Sequence, residues 1–396
     1  MSAHIVSCGA IVVCIATALC PCPAAAEFTP KAGWDRHLFP SFVIATATVR
    51  ATKEMQAEAT HAGTLGDANG LFGVSVKAPA DKISATVTIT GDAVMEPSTY
   101  TVVLPKKGKR YTICPPIKYK YAALARNKQS VPAAVTFRLE LAGQPPEEQT
   151  VTITVRSIND CPRLVDEGED TTDIHFTFAA YVNEEHPLVD KITKEALHSG
   201  IVESFGGYTE EGPQEVLRQV YALWHVLSKR GVRYSDASTT VGEAESIASQ
   251  HVRLLDESLN NAQANCVDGS VLFASLLRKI GLEPFLVLEP THCYVGFYLE
   301  DDEEHPVALE TTLLGTKPDA DDGRKIEGIP GIERAPWTHQ DTWATFVAAL
   351  NTATDDLKEN HDKFEADDDV DYQIISITAA RQAGILPIPY SPSQEP

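Results

Sequence analysis

From about Ser41 to Asp160, apolar and polar positions alternate in short runs: Val43 to Val49, Ser84 to Thr90, Tyr100 to Leu104, Ala134 to Leu141 and Thr150 to Arg156. A period of two sends successive side chains to opposite faces and predicts half-buried strands. Turn residues punctuate them at Gly66-Asp67-Ala68-Asn69-Gly70, Gly91-Asp92 and Gly143-Gln144-Pro145-Pro146. The period then changes. Val216, Leu217, Val220, Leu223, Trp224 and Leu227 recur at helical spacing over Gln214 to Arg230, with Pro213 suited to the first turn and Gly231 to the stop. Leu188 to Val202 also predicts a helix. Cys266 to Ile280 predicts another, apolar on most of its surface and therefore buried, ending at Gly281. Strand-like runs follow at Pro284 to Leu288, His292 to Leu299 and Val307 to Thr311. Trp343, Phe346, Val347, Leu350 and Leu357 mark a last helix from about Gln340 to Phe364.

Short strands joined by turns predict an all-β sandwich of immunoglobulin-like architecture over residues 41–160, closed by an acidic linker from Asn159 to Thr172. An α+β domain over residues 172–390 follows it. No internal repeat is present. A chain of 396 residues suits two such domains, each able to bury a core. Its 33 Lys and Arg against 55 Asp and Glu leave a formal charge of −22. That balance excludes nucleic acid and anionic membranes as partners, because both are bound through concentrated Lys and Arg. The densest basic stretch is Lys106-Lys107-Gly108-Lys109-Arg110.

Met1 to Ala26 holds no Lys, Arg, Asp or Glu and is mostly apolar from Ile5 to Leu19. Ala24 and Ala26 form an A-x-A pattern before Glu27, which predicts a signal peptide over 1–26 and a secreted or periplasmic protein. A retained anchor is the alternative. No other segment is long and apolar enough to span a membrane. Cleavage would remove Cys8, Cys14, Cys20 and Cys22 and leave Cys114, Cys161, Cys266 and Cys293. In an oxidising compartment the favoured arrangement is a Cys114–Cys161 bridge with Cys266 as a thiol. No C-x-x-C or Cys/His spacing supports a metal site in the mature chain, and no cofactor is called for. Acidic runs at Asp301 to Glu304, Asp319 to Asp322 and Asp367 to Asp369 lack EF-hand spacing and read as solvated loops.

The candidate chemistry begins at Asn265-Cys266-Val267-Asp268-Gly269. Cys266 opens a buried helix, where the dipole and free backbone N–H groups favour a thiolate and can also hold an oxyanion. His292 opens the second strand after that helix and can fold back toward the helix start as a base. Alternation puts Tyr294 and Gly296 on its face and turns Cys293, Val295 and Phe297 the other way. Glu310, on the next strand, can orient the imidazole. Asp268, Asp301 and Asp302 are competing carboxylates. Gln263 or Asn265 can donate to the oxyanion, with a loop cap as the other role. Arg253 can clamp a substrate carboxylate or make a structural ion pair, and Tyr294 is a further substrate contact.

The run Arg253 to Gly315, with NCVDGSVLFASLLRKIGLEPFLVLEPTHCYVGFYLE and VALETTLLG, resembles the transglutaminase-like superfamily of papain-related cysteine-dependent proteins. Lys229 to Tyr234 (KRGVRY), His251 to Arg253 (HVR) and Ile375 to Pro389 (ISITAARQAGILPIP) are similar to segments of its bacterial members, so the resemblance covers roughly Ile174 to Pro389. It implies a papain-like domain with Cys266, His292 and Glu310 as triad. It departs from the wider family in Thr291 and Cys293, where Gly and Ala often flank the His, and in Glu310, where Asp is commoner. The implied activity is acyl transfer from a peptide or side-chain amide on a protein or peptide substrate, to water (protease or amidase) or to an amine (transglutaminase). The alternative is an inactive module that binds proteins at the cell surface.

Overall fold

The computed structural model describes residues 27–391, except 167, 169–170, 237–243, 302–303, 317–325, 327–328, 330–331 and 367–369. The expected signal peptide, its four cysteines and much of the three acidic runs lie outside the described residues. The fold is mixed α+β with several sheets.

The N-terminal strands are β1 (Phe28–Ala32), β2 (His37–Leu38), β3 (Thr64–Gly66), β4 (Phe72–Lys77), β5 (Ile83–Gly91), β6 (Met95–Leu104), β7 (Arg110–Cys114), β8 (Lys118–Tyr119), β9 (Val131–Leu141) and β10 (Glu147–Val155). They form a four-stranded sheet, β1-β4-β7-β3, and a six-stranded sheet, β2-β10-β9-β5-β6-β8. The sheets face each other, with β1 and β4 against β9 and β5. The cause is visible in the alternation: Ala85, Val87 and Ile89 on β5 and Val135, Phe137, Leu139 and Leu141 on β9 are buried. Between them Thr86–Thr101, Thr88–Thr99 and Thr136–Thr150 pair their hydroxyls across strands on the outer face.

Two predicted features differ. The alternating run from Val43 is no strand. Pro40 starts a short helix, α1 (Pro40–Ala45), in which the consecutive Val43, Ile44 and Ala45 are all buried. A fully enclosed apolar run meets the needs of either element, and here burial on every side decides for the helix. A further helix, α2 (Lys53–Ala62), has no buried residue and was not foreseen. A short α3 (Tyr121–Ala125) packs against α1. The acidic linker is likewise structured: β11 (Asp160–Asp166) begins inside it and β12 (Thr171–Asp173) ends beyond it, because Cys161 and Val165 are buried and hold the segment in place.

The remaining elements are α4 (Pro187–His198), α5 (Pro213–Lys229), β13 (Arg233–Tyr234), β14 (Ile247–His251), α6 (Leu255–Asn261), β15 (Gln263–Ala264), α7 (Cys266–Lys279), β16 (Pro284–Glu289), β17 (His292–Tyr298), β18 (Pro306–Leu309), α8 (Trp343–Glu359), α9 (His361–Phe364), β19 (Gln373–Ser376) and α10 (Ile377–Gln382). A sheet ordered β18-β17-β16-β19 carries α7 on one face. Cys293, Val295 and Phe297 join the main core with α7, whereas Tyr294 packs in a separate cluster with Phe285, Val287, Ala308, Ala353 and Leu357. The predicted alternation of β17 therefore holds although both of its faces are covered. Gly296 is required there, since a Cβ would lie 2.0 Å from the Phe285 ring. Among the described residues no helix is long and apolar enough to cross a membrane.

Candidate active site

Asn265 caps α7: its side-chain oxygen accepts the Asp268 N–H at 2.8 Å, and Asp268 Oδ2 accepts the Asn265 N–H at 3.0 Å. This reciprocal box places Cys266 at the first helical position. Asp268 is fully buried and also accepts from the Arg253 N–H at 2.7 Å and its guanidinium at 2.6 Å. The helix start is thus tied to the chain entering α6. Ser270 donates from the next turn to the carbonyls of Cys266, at 2.7 Å, and Cys293, at 3.3 Å, pinning α7 to β17. Gly269 lets the following segment approach, because a Cβ there would meet Thr311 Oγ1 at 2.5 Å.

His292 follows a two-residue turn, Pro290-Thr291, that closes the β16–β17 hairpin with Glu289 opposite His292. Proline suits the first turn position, and Thr291 takes φ 68° at the second. A β-branched residue in the left-handed region is strained. His292 Nε2 lies 2.7 Å from Glu310 Oε2, and the imidazole is also hydrogen-bonded to Cys266. Those two hydrogen bonds, Cys266 first and Glu310 second, outweigh burial and raise His292 to about 10. The ring is an imidazolium at neutral pH.

Glu310 stands one residue beyond β18, capping a 3₁₀ turn over Thr311–Leu313 rather than lying on the strand as expected. Its Oε1 accepts from the Thr312 N–H at 2.9 Å and hydroxyl at 2.6 Å, so both oxygens are occupied. Burial pushes this carboxyl up, but hydrogen bonds from His292 and Thr312 bring it below the usual carboxylate value. Glu310 N donates to Ala349 O at 3.0 Å, fixing its height against α8.

Cys266 and His292 open on a cleft of about 450 Å³. The β16–β17 turn lines one side; Arg163 on β11, Gln250 on β14 and His175 line another. His175 Nδ1 is 2.7 Å from Asp173 Oδ1, and its ring stacks on Phe178. Cys266 and Val267 line the cleft at the first turn, where N–H groups have no intrahelical acceptor and can receive an oxyanion.

The structure brings Cys266, His292 and Glu310 together and redirects the weaker assignments. Asp268 is committed to the helix cap and Arg253, so it does not compete for His292. Arg253 is accordingly a structural ion pair and no substrate clamp. Asn265 is the cap, and Gln263 is an exposed residue of β15; neither lines the cleft. Tyr294 is buried away from the cleft with its hydroxyl on Glu289 at 3.1 Å. The Cys114–Cys161 bridge is absent: both are buried free thiols, Cys114 beside Gly70 and Gly73 and Cys161 in the sheet of β11. They belong to different sheets, and burial raises both thiols. Sequence reasoning missed Arg163, His175 and Gln250, whose segments carry no local pattern that points at a site.

The chain matches no family model and none of the curated proteins it was compared with.

Proposed function

We propose that this protein is a cysteine-dependent acyl-transfer enzyme of the transglutaminase-like kind, acting on peptide or side-chain amides. The observation that carries this is His292 standing between Cys266 and the buried Glu310 at the edge of a cleft. The Cys266 sulfur, as the thiolate paired with the imidazolium, attacks the amide carbonyl carbon. The oxyanion forms over the N–H groups of Cys266 and Val267. As the C–N bond breaks, His292 gives its proton to the departing amine and an acyl-thioester remains. Water or a second amine, losing a proton to His292, then attacks the thioester and releases the thiolate. Glu310 holds the ring in position and stabilises its charge.

Two further features support the family reading. The positive φ of Thr291 is one that glycine, often found before the His in that superfamily, takes without strain. The packing of a helix that starts with the Cys against a strand that starts with the His is the arrangement of a papain-related core. The paired N-terminal sheets support an immunoglobulin-like sandwich ahead of it, and the apolar N-terminus supports export.

Thiol reactivity tests the proposal. Iodoacetamide should alkylate Cys266 about tenfold faster than free cysteine at pH 6, where an ordinary thiol is almost wholly protonated. His292→Ala should abolish the advantage. Equal rates for the native protein and free cysteine would instead leave a binding module.

A further inference from the structure

Strand β11 pairs with β14 through Cys161 opposite Gln250 and Pro162 opposite Ser249, then resumes with Leu164 opposite Ala248. Arg163 is the extra residue. Such a bulge leaves one residue unpaired and re-aims its side chain, and bulges concentrate beside active sites. This one is held, because the Arg163 carbonyl accepts the Ile174 N–H at 2.9 Å. The half-buried Arg163 side chain enters the same cleft as Cys266 and His292, with Gln250 of the neighbouring strand alongside.

Arg156, Arg230, Arg253 and Arg278 each hold a carboxylate in this strongly acidic chain. Arg163 has no ion-pair or hydrogen-bond partner for its guanidinium among the described residues. The acids that share the cleft do not meet it. Glu289 receives the Tyr294 hydroxyl and the Asn360 amide, on the side of α8 and α9, and Asp371 has a partner of its own. A guanidinium fork fits a carboxylate with two parallel hydrogen bonds.

We propose that Arg163, assisted by Gln250, binds a carboxylate of the substrate, so that the enzyme takes amides with an acidic group a few bonds from the carbonyl under attack. This rests on the acyl-transfer reading and names its substrate class. The carboxylate comes from an acidic side chain or from a chain end, and one set of probes separates the two. Three N-chloroacetyl dipeptides share a warhead for Cys266: chloroacetyl-Gly-Gly-amide is neutral, chloroacetyl-Gly-Asp-amide carries a side-chain carboxylate, and chloroacetyl-Gly-Gly with a free end carries a terminal one.

At least one acidic probe should alkylate Cys266 about fivefold faster than the neutral probe, the worth of a partly screened ion pair. Whichever is faster identifies the source. Arg163→Gln should bring that ratio close to one, and a circular dichroism spectrum matching that of the native protein shows that the variant is folded. Arg163→Lys should keep part of the preference. A native ratio of one or below, or a preference that survives Arg163→Gln, overturns the proposal. A neutral-probe rate no better than that of free cysteine counts against the catalytic reading alone, since the ratio still judges Arg163.

Discussion

His292 interacts with both Cys266 and Glu310, and its protonation decides what the sulfur and the carboxylate can do. With its value raised to about 10, the imidazolium persists through neutral pH. Its folded value lies above the ordinary 6.5, so the stability it contributes is fully present below about 6.5 and is lost as pH rises through about 10. Turnover should follow the same limb, because the leaving amine needs the proton that His292 carries. Glu310→Gln removes the carboxylate charge and weakens one of the two supporting hydrogen bonds. The expected result is a His292 midpoint shifted toward neutral, read from its ring signals by NMR, with the alkaline limb of activity moving by the same amount. A midpoint unmoved by the substitution would show that Glu310 does not hold the ring.

Among the elements, α7 matters most, for its start is defined by side chains that are not catalytic. Asp268 serves two masters: it completes the Asn265 cap and neutralises Arg253. Removing one member of a buried ion pair leaves the other charge uncompensated. Asp268→Ala should therefore cost about 3 kcal/mol in urea unfolding. It should also slow alkylation of Cys266, since the first turn would lose its cap. These elements were largely legible beforehand. The helix from Pro213, the helix at Cys266 and the strand at His292 lie within a residue or two of their expected starts, because amphipathic period and Pro or Gly punctuation act locally. Glu310 differed because it lies just past the strand end, where the turn hydrogen bonds of Thr312 shape the chain. For Asn265 and Arg253 the local sequence favours a structural cap and an ion pair over a catalytic role, and Asp268 is the partner that supplies both.

At the scale of the whole molecule, the two halves of the chain share hydrophobic packing. One hydrophobic cluster runs from Phe28 on β1 to Ile388, joining residues of the N-terminal sheets such as Val135 to Phe178, Leu217 and Val271. Further ties cross between the halves: the Leu386 N–H donates to Ala45 O at 2.9 Å, and Lys128 reaches Glu257 at 2.7 Å. Chemical unfolding followed by far-ultraviolet circular dichroism and by tryptophan fluorescence should accordingly give one coincident transition. Two separated transitions would show that the halves are independent units.

The sequence by itself determined the periods, the caps and the order of Cys266, His292 and Glu310 along the chain, because those depend on neighbours within a few positions. Tertiary structure alone decided which groups share the cleft. It drew Arg163 and Gln250 in from a sheet whose strands are some eighty residues apart along the chain, withdrew Arg253 and Tyr294 from it, and kept Cys114 and Cys161 apart. The reason is physical: a side chain's role follows from the charges, donors and volumes that surround it, and long-range packing supplies these.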